Sequence, residues 1–258
     1  MLILGLDLET TCADVSTASL TEIGLCLWDS DLAAPVRMEG SIVYPGDDAL
    51  WDDVVRSGSI NGLTPSLCEK YGIQHTVAVK RLYNWIAVAE AVCCHNGSNF
   101  DKLIIKRLLT AEHSWDESKL WIDTRTDLDA PVGDSRRLSY MAADHGFLNP
   151  FAHRALLDAL TTLNILSKYN LNRVLEIARA PIVTVRASVS YEDRGLASAR
   201  GYHWNRDSKS WLLQIKKIFV DRERETAGFP ITVLEDFCRS RETAGFPITV
   251  LEDGTYGS

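Results

Sequence analysis

The 258-residue chain lacks three things that would have pointed elsewhere: a long apolar run, paired cysteines and an excess of positive charge. A membrane-spanning helix needs about 20 consecutive apolar residues, and no stretch approaches that. The opening Met1–Leu6 segment runs into Asp7 without a basic start or a small-residue cleavage site, so a signal peptide is not expected. Its six cysteines (Cys12, Cys26, Cys68, Cys93, Cys94 and Cys238) form no Cys-x-x-Cys pair and no zinc-like spacing with histidine. Reduced thiols and a cytoplasmic location are the expectation. A formal net charge of −8 argues against nucleic-acid affinity carried by bulk positive charge. What remains is an ordinary globular composition, 46% hydrophobic and 24% charged, long enough for one medium domain and a smaller module.

Short apolar runs ended by turn residues predict strands over 2–8, 20–28 and 37–44, close enough in sequence for an antiparallel meander. Helical periods follow over about 49–57, 64–71 and 75–90. Ala91–Cys94 reads as a short buried strand, and Asn99 as the cap of a helix running to about Thr110. Leu120–Ile122 reads as another strand, followed by helices over about 136–145 and 154–168. This order predicts an α/β fold, a mixed five-stranded sheet flanked by helices.

Five side chains stand out on this scaffold: Asp7, Glu9, Asp101, His153 and Asp158. Asp7 and Glu9 are two apart on a predicted strand, so both carboxylates leave the same face. Asp101 opens one predicted helix and Asp158 lies inside another. Four converging carboxylates repel one another unless a strong counter-charge joins them, and two divalent cations supply it together with phosphoryl-transfer chemistry. Histidine changes charge near neutral pH, and His153 just before its helix can act as a general base. Taken singly, each motif has a plainer reading as a solvated strand face, a helix start or an amphipathic helix. Taken in this order they predict a metal-dependent nuclease.

The segments Asp7-Leu8-Glu9-Thr10-Thr11, His95 to Asp101 and His153 to Asp158 resemble the three motifs of the DEDDh branch of the DnaQ-like 3′→5′ exonucleases. Ile60-Asn61-Gly62-Leu63-Thr64 is similar to a short segment between the first two motifs, and Trp121-Ile122-Asp123-Thr124 to the family's fifth strand. The resemblance spans about residues 1–175. It implies a ribonuclease H-like fold, two Mg²⁺ or Mn²⁺ ions held by Asp7, Glu9, Asp101 and Asp158, and His153 as the base. It also implies substrate contacts from Thr10, Leu63, Asn96 and Phe100, and no metal for Asp123, which is read as structural. The second motif is one residue longer than the family's commonest spacing. The activity so implied is 3′→5′ hydrolysis of single-stranded or frayed DNA to nucleoside monophosphates, in a bacterial or phage-infected cell. The alternatives are an exoribonuclease of the ribonuclease T or oligoribonuclease type, and a non-catalytic nucleic-acid- or polymerase-binding subunit. Single-stranded DNA, 3′ ends, RNA and a DNA polymerase are the corresponding partners.

Composition changes near Ala180-Pro181. The exonuclease-like part is expected to occupy 1–178, followed by a small basic βαβ-like module over 183–218 and a tail over 219–258. Between Val183 and Lys217 there are seven Lys/Arg against three acids. Tyr191, Tyr202, Trp204 and Trp211 are interleaved with them, a pattern suited to stacking on single strands or to filling a very small core. The tail holds an identical 13-residue segment twice, at 224–236 and 241–253, too few copies for a solenoid.

Overall fold

The computed structural model describes residues 1–46, 51–129 and 136–234. Cys238, the second copy of the repeated segment and the first two residues of the helix expected over 49–57 lie outside the described residues. The described residues divide into two units, one of Met1–Pro181 with Lys216–Ile218, the other of Ile182–Ile215 and Phe219–Leu234. No helix among the described residues is long and apolar enough to cross a membrane.

The first unit is built on β1 (Leu2–Thr10), β2 (Leu20–Asp29) and β3 (Ala34–Tyr44), joined as the antiparallel meander expected from their spacing. Parallel strands β5 (Ala91–Cys94) and β6 (Leu120–Asp123) extend the sheet beside β1. A two-residue strand, β4 (Ile73–Gln74), lies parallel to the end of β3, so the sheet has six strands in the order β4-β3-β2-β1-β5-β6 rather than the expected five. Two residues leave too little pattern to be read from sequence.

Both faces of the sheet are covered. Leu4, Leu6 and Leu8 point into one core with Leu82, Trp85, Ile104 and Ile105 from α3 (His75–Val88) and α4 (Asp101–Glu112). Ile3, Cys26 and Cys93 point into the other with Leu163 and Leu166 from α6 (Ala155–Leu166) and Val174 from α7 (Leu171–Arg179). Being covered on both sides explains why β2 is apolar almost without alternation. The remaining helices are α1 (Trp51–Asn61), α2 (Pro65–Tyr71) and α5 (Leu138–Asp144). Helix α7 was not expected, although Asn170 is a clear cap whose side chain accepts from the Arg173 N–H at 3.1 Å.

Helix α6 lies unusually close to the sheet because β2 and β1 carry glycines beneath it. A Cβ on Gly24 would stand 2.1 Å from the Ala155 carbonyl carbon, and one on Gly5 would stand 2.4 Å from a Leu163 methyl. Gly24 is the cross-strand partner of Asp7, so the first turn of α6 comes down beside that carboxylate.

The second unit contains β7 (Ile182–Ala187), α8 (Arg194–Ala199), β8 (His203–Asn205), β9 (Ser210–Lys216), α9 (Val220–Thr226) and β10 (Ile231–Leu234). Its sheet runs β10-β7-β9-β8, the strand order of a split βαβ unit. Of the tail expected from 219, the first repeated segment supplies the end of α9 and all of β10, which pairs antiparallel with β7. Trp211 packs into this unit's core with Val185, Leu213 and Ile215, and Trp204 meets it edge-on at 5.8 Å. One face of exposed Tyr191 is covered by the Arg194 guanidinium at 3.7 Å.

Candidate active site

At the end of β1 the period-two geometry puts Ile3, Gly5, Asp7 and Glu9 on the face occupied by α6. Asp101 reaches the same strand from α4, its Oδ1 accepting the Leu8 N–H at 3.0 Å between the two acids. Asp158, in the first turn of α6, accepts the His153 N–H on Oδ2 at 2.9 Å and the Asn149 side-chain amide on Oδ1. Glu9 is steadied by Asn61, whose Nδ2 donates to Oε2 at 3.0 Å. One atom each of Glu9, His153 and Asp158 lie within 4.8 Å of one another.

The electrostatics follow from this crowding. Removal from water, then the charges of Asp101, Asp158, Glu9 and Glu22, hold Asp7 well above the usual carboxylate range. Burial pushes Glu9 up to about 8, opposed in part by the Asn61 hydrogen bond. Burial likewise pushes Asp101 up to about 7 and raises Asp158. A set of carboxylates that resists ionisation in this way is short of positive charge. Its donors are hard oxygens with one exposed imidazole at the margin, and such a set fits Mg²⁺ or Mn²⁺.

The surrounding residues depart from several expectations. Asn99 does not cap α4. Gly97–Asn99 forms a 3₁₀ turn, and the residue before α4 is Phe100, half-buried against the core. Asn96, within this longer segment, takes a left-handed φ of 63°. Its backbone N–H donates to Asp123 Oδ1 at 2.8 Å. Thr10 uses its hydroxyl locally, donating to the Cys12 carbonyl at 2.7 Å. Leu63 is 1% exposed and packs with Val54 and Cys68, which leaves its side chain no open face for a nucleotide in this conformation. It is Asn61, two residues earlier, that reaches the carboxylates. His95 is held between Thr124 Oγ1 and the Arg136 carbonyl.

Asp123, expected to take no metal, has its carboxylate engaged by backbone N–H groups. It is 1% exposed and accepts the backbone N–H groups of Asn96, Ser98 and Arg125 at 2.8–3.0 Å, fixing the turn that delivers Asp101. Sequence reading missed Glu22. This buried acid on β2 faces Glu9 across the strands and binds Arg154 in a fork. The one signal for it was a lone glutamate inside the apolar run Leu20–Trp28. Asn149 carried no pattern at all.

No family model matches the sequence, and no curated protein does. Solved structures do. A complex of E. coli exonuclease I with a dA16 oligonucleotide superposes with a TM-score of 0.60 over 90% of this chain at 15% identity. The nuclease domain of 3′hExo, a DEDDh family member, bound to rAMP, superposes with a TM-score of 0.52 over 65% of this chain and 90% of its own, at 16% identity. The fold of the chain is the one seen in these two nuclease structures. The chain spans between 49% and 63% of the exonuclease I chains that it matches.

Proposed function

We propose that the chain is a divalent-metal-dependent 3′→5′ exonuclease acting on single-stranded nucleic acid. The observation that carries the reading is the meeting of Asp7, Glu9, Asp101 and Asp158 around the end of β1, with His153 beside two of them, on an exonuclease fold. Asp7, Glu9, Asp101 and Asp158 would hold the ions, which when bound lower the pKa of water and neutralise charge on the phosphate. The exposed imidazole of His153 takes the proton from the attacking water, and the His153 N–H keeps Asp158 oriented meanwhile. Asn61 holds Glu9 in one rotamer, so that a ligand carboxylate is ready before substrate arrives.

Single-stranded DNA or a frayed DNA 3′ end is the favoured substrate, in line with the oligonucleotide bound to exonuclease I. RNA is the second reading, favoured by the rAMP bound to the 3′hExo domain. Metal and phosphate contacts do not read the 2′ position, so the choice is left to the sugar pocket. The reading does not extend to a polymerase partner.

The test uses DNA and RNA oligomers labelled at the 3′ or 5′ end, incubated with Mg²⁺ or Mn²⁺ and with a chelator. Stepwise shortening from the 3′ end that the chelator stops is the expected result. Asp7→Ala should abolish it without changing the circular dichroism spectrum. Hydrolysis persisting in that variant would refute the site.

A further inference from the structure

His153 has two features in tension. It carries the base proposed above, and its backbone sits at φ 62°, left-handed for a residue with a Cβ. Such a conformation is strained and lasts only where flanking contacts over-determine it. On one side the His153 N–H is tied to Asp158. On the other side the tie comes from β2. Glu22, 4% exposed, accepts Arg154 Nη2 at 2.8 Å and Nε at 3.1 and 3.2 Å, and also the Ala155 N–H at 3.0 Å. Arg154 stands at the N-cap position of α6 and offers no capping side chain of its own. Glu22 supplies the missing acceptor from a different strand.

We propose that Glu22 and Arg154 are positioning residues, a clamp whose role is to keep the His153 imidazole over the metal ligands. The proposal rests on the exonuclease reading for its kinetic consequences but not for its geometry. Glu22 is unsuited to the ligand role that its location suggests, because Arg154 and Ala155 already engage both of its oxygens. The clamp also answers an electrostatic problem, since Glu22 lies directly opposite Glu9 and would repel it without the guanidinium. Arginine suits the task because its fork binds both carboxylate oxygens in one plane, which an ammonium cannot do.

Without the clamp, His153 relaxes towards negative φ and its imidazole swings away, while the metal ligands on β1 and α4 stay in place. Glu22→Gln should therefore lower kcat by about 10- to 100-fold with KM changed less than about two-fold, a loss capped by what a general base supplies. Arg154→Lys keeps the charge and loses the fork. It should retain the melting temperature and show a similar loss in kcat, so the test survives if Glu22→Gln folds poorly.

The deciding measurement is a double-mutant cycle on the full chain. With His153→Ala already in place, Glu22→Gln should produce no further loss, because the clamp has nothing left to hold. Multiplicative losses would overturn the proposal. Amide hydrogen exchange supplies a readout that needs no turnover: Glu22→Gln should speed exchange across 153–155 at least ten-fold and leave β1 unchanged. Unchanged exchange there would equally overturn the clamp. Failure of the wild-type chain to cut any strand would refute the exonuclease reading, and the exchange measurement would still decide the geometry.

Discussion

Replacing Gly24 with alanine tests the packing that brings Asp158 to Asp7. The added Cβ would stand 2.1 Å from the Ala155 carbonyl carbon, 2.2 Å from its oxygen and 2.2 Å from the Leu156 nitrogen. All three are backbone atoms of the first turn of α6, so no rotamer change makes room. Restoring ordinary contact at 3.4 Å requires the helix to lift by about 1.3 Å, a displacement of the size that costs an active site about 100-fold in rate. Overpacking of this kind also costs about 1–3 kcal/mol, which lowers the melting temperature by roughly 3–10 °C in a unit of this size. Gly40→Ala is the matched control. Its Cβ would meet only Leu156 side-chain atoms at 3.1 and 3.2 Å, which can yield, so both effects should be small. Thermal melts and single-turnover hydrolysis of a labelled oligonucleotide read the two outcomes. A Gly24→Ala variant with wild-type melting and a rate within two-fold of wild type would refute the close approach of α6 and, with it, the stated origin of the site.

Two further outcomes follow from the electrostatics and from the turn before α4. Folded-state values of about 8 for Glu9 and about 7 for Asp101 lie above their ordinary 4.5 and 3.8, so between those limits the folded chain binds more protons than the unfolded one. Metal-free stability should therefore fall as pH rises from about 4 to 8. The loss should amount to several kcal/mol, since each tenfold difference in proton affinity between the folded and unfolded chain is worth roughly 1.4 kcal/mol. Added Mg²⁺ or Mn²⁺ should raise the melting temperature more at pH 8 than at pH 5.5, and scanning calorimetry at both values checks the sign. Asp123→Ala leaves the Asn96, Ser98 and Arg125 N–H groups without their acceptor. It should cost about 1–3 kcal/mol for each N–H left buried and unpaired, and should also depress turnover by freeing Asp101. Melting together with kcat distinguishes this from a change confined to the surface.

Much of this arrangement could be read from the chain. The meander β1–β3, the buried strand Ala91–Cys94 and the placement of Asp7 and Glu9 on one face follow from period-two patterning and turn residues. The rest was hidden for identifiable reasons. Glu22 was illegible because its meaning depends on Arg154, 132 positions away. Leu63 was named only because the segment Ile60–Thr64 resembles a family motif, and that likeness does not show that its side chain closes a small core with Val54 and Cys68. Asn99 resembled a cap because the 3₁₀ turn that displaces it is held by Asp123, a partner no local pattern reveals. Strand β10 was obscured by repetition: identical segments suggested a spare tail, yet one of them completes a sheet.

That repetition has a consequence for the second unit. Glu223 is fully buried and accepts from Arg200 and Tyr202, and the repeated segment that begins immediately after it supplies the last turn of α9, the Gly228 turn and β10. The same thirteen residues recur from Arg241, but Ser240 stands there in place of the glutamate. Excising 224–240 would join Glu223 directly to Arg241 and rebuild the edge strand letter for letter behind its own anchor. The chain thus carries the text of one structural part twice, with the tether that secures it written only once.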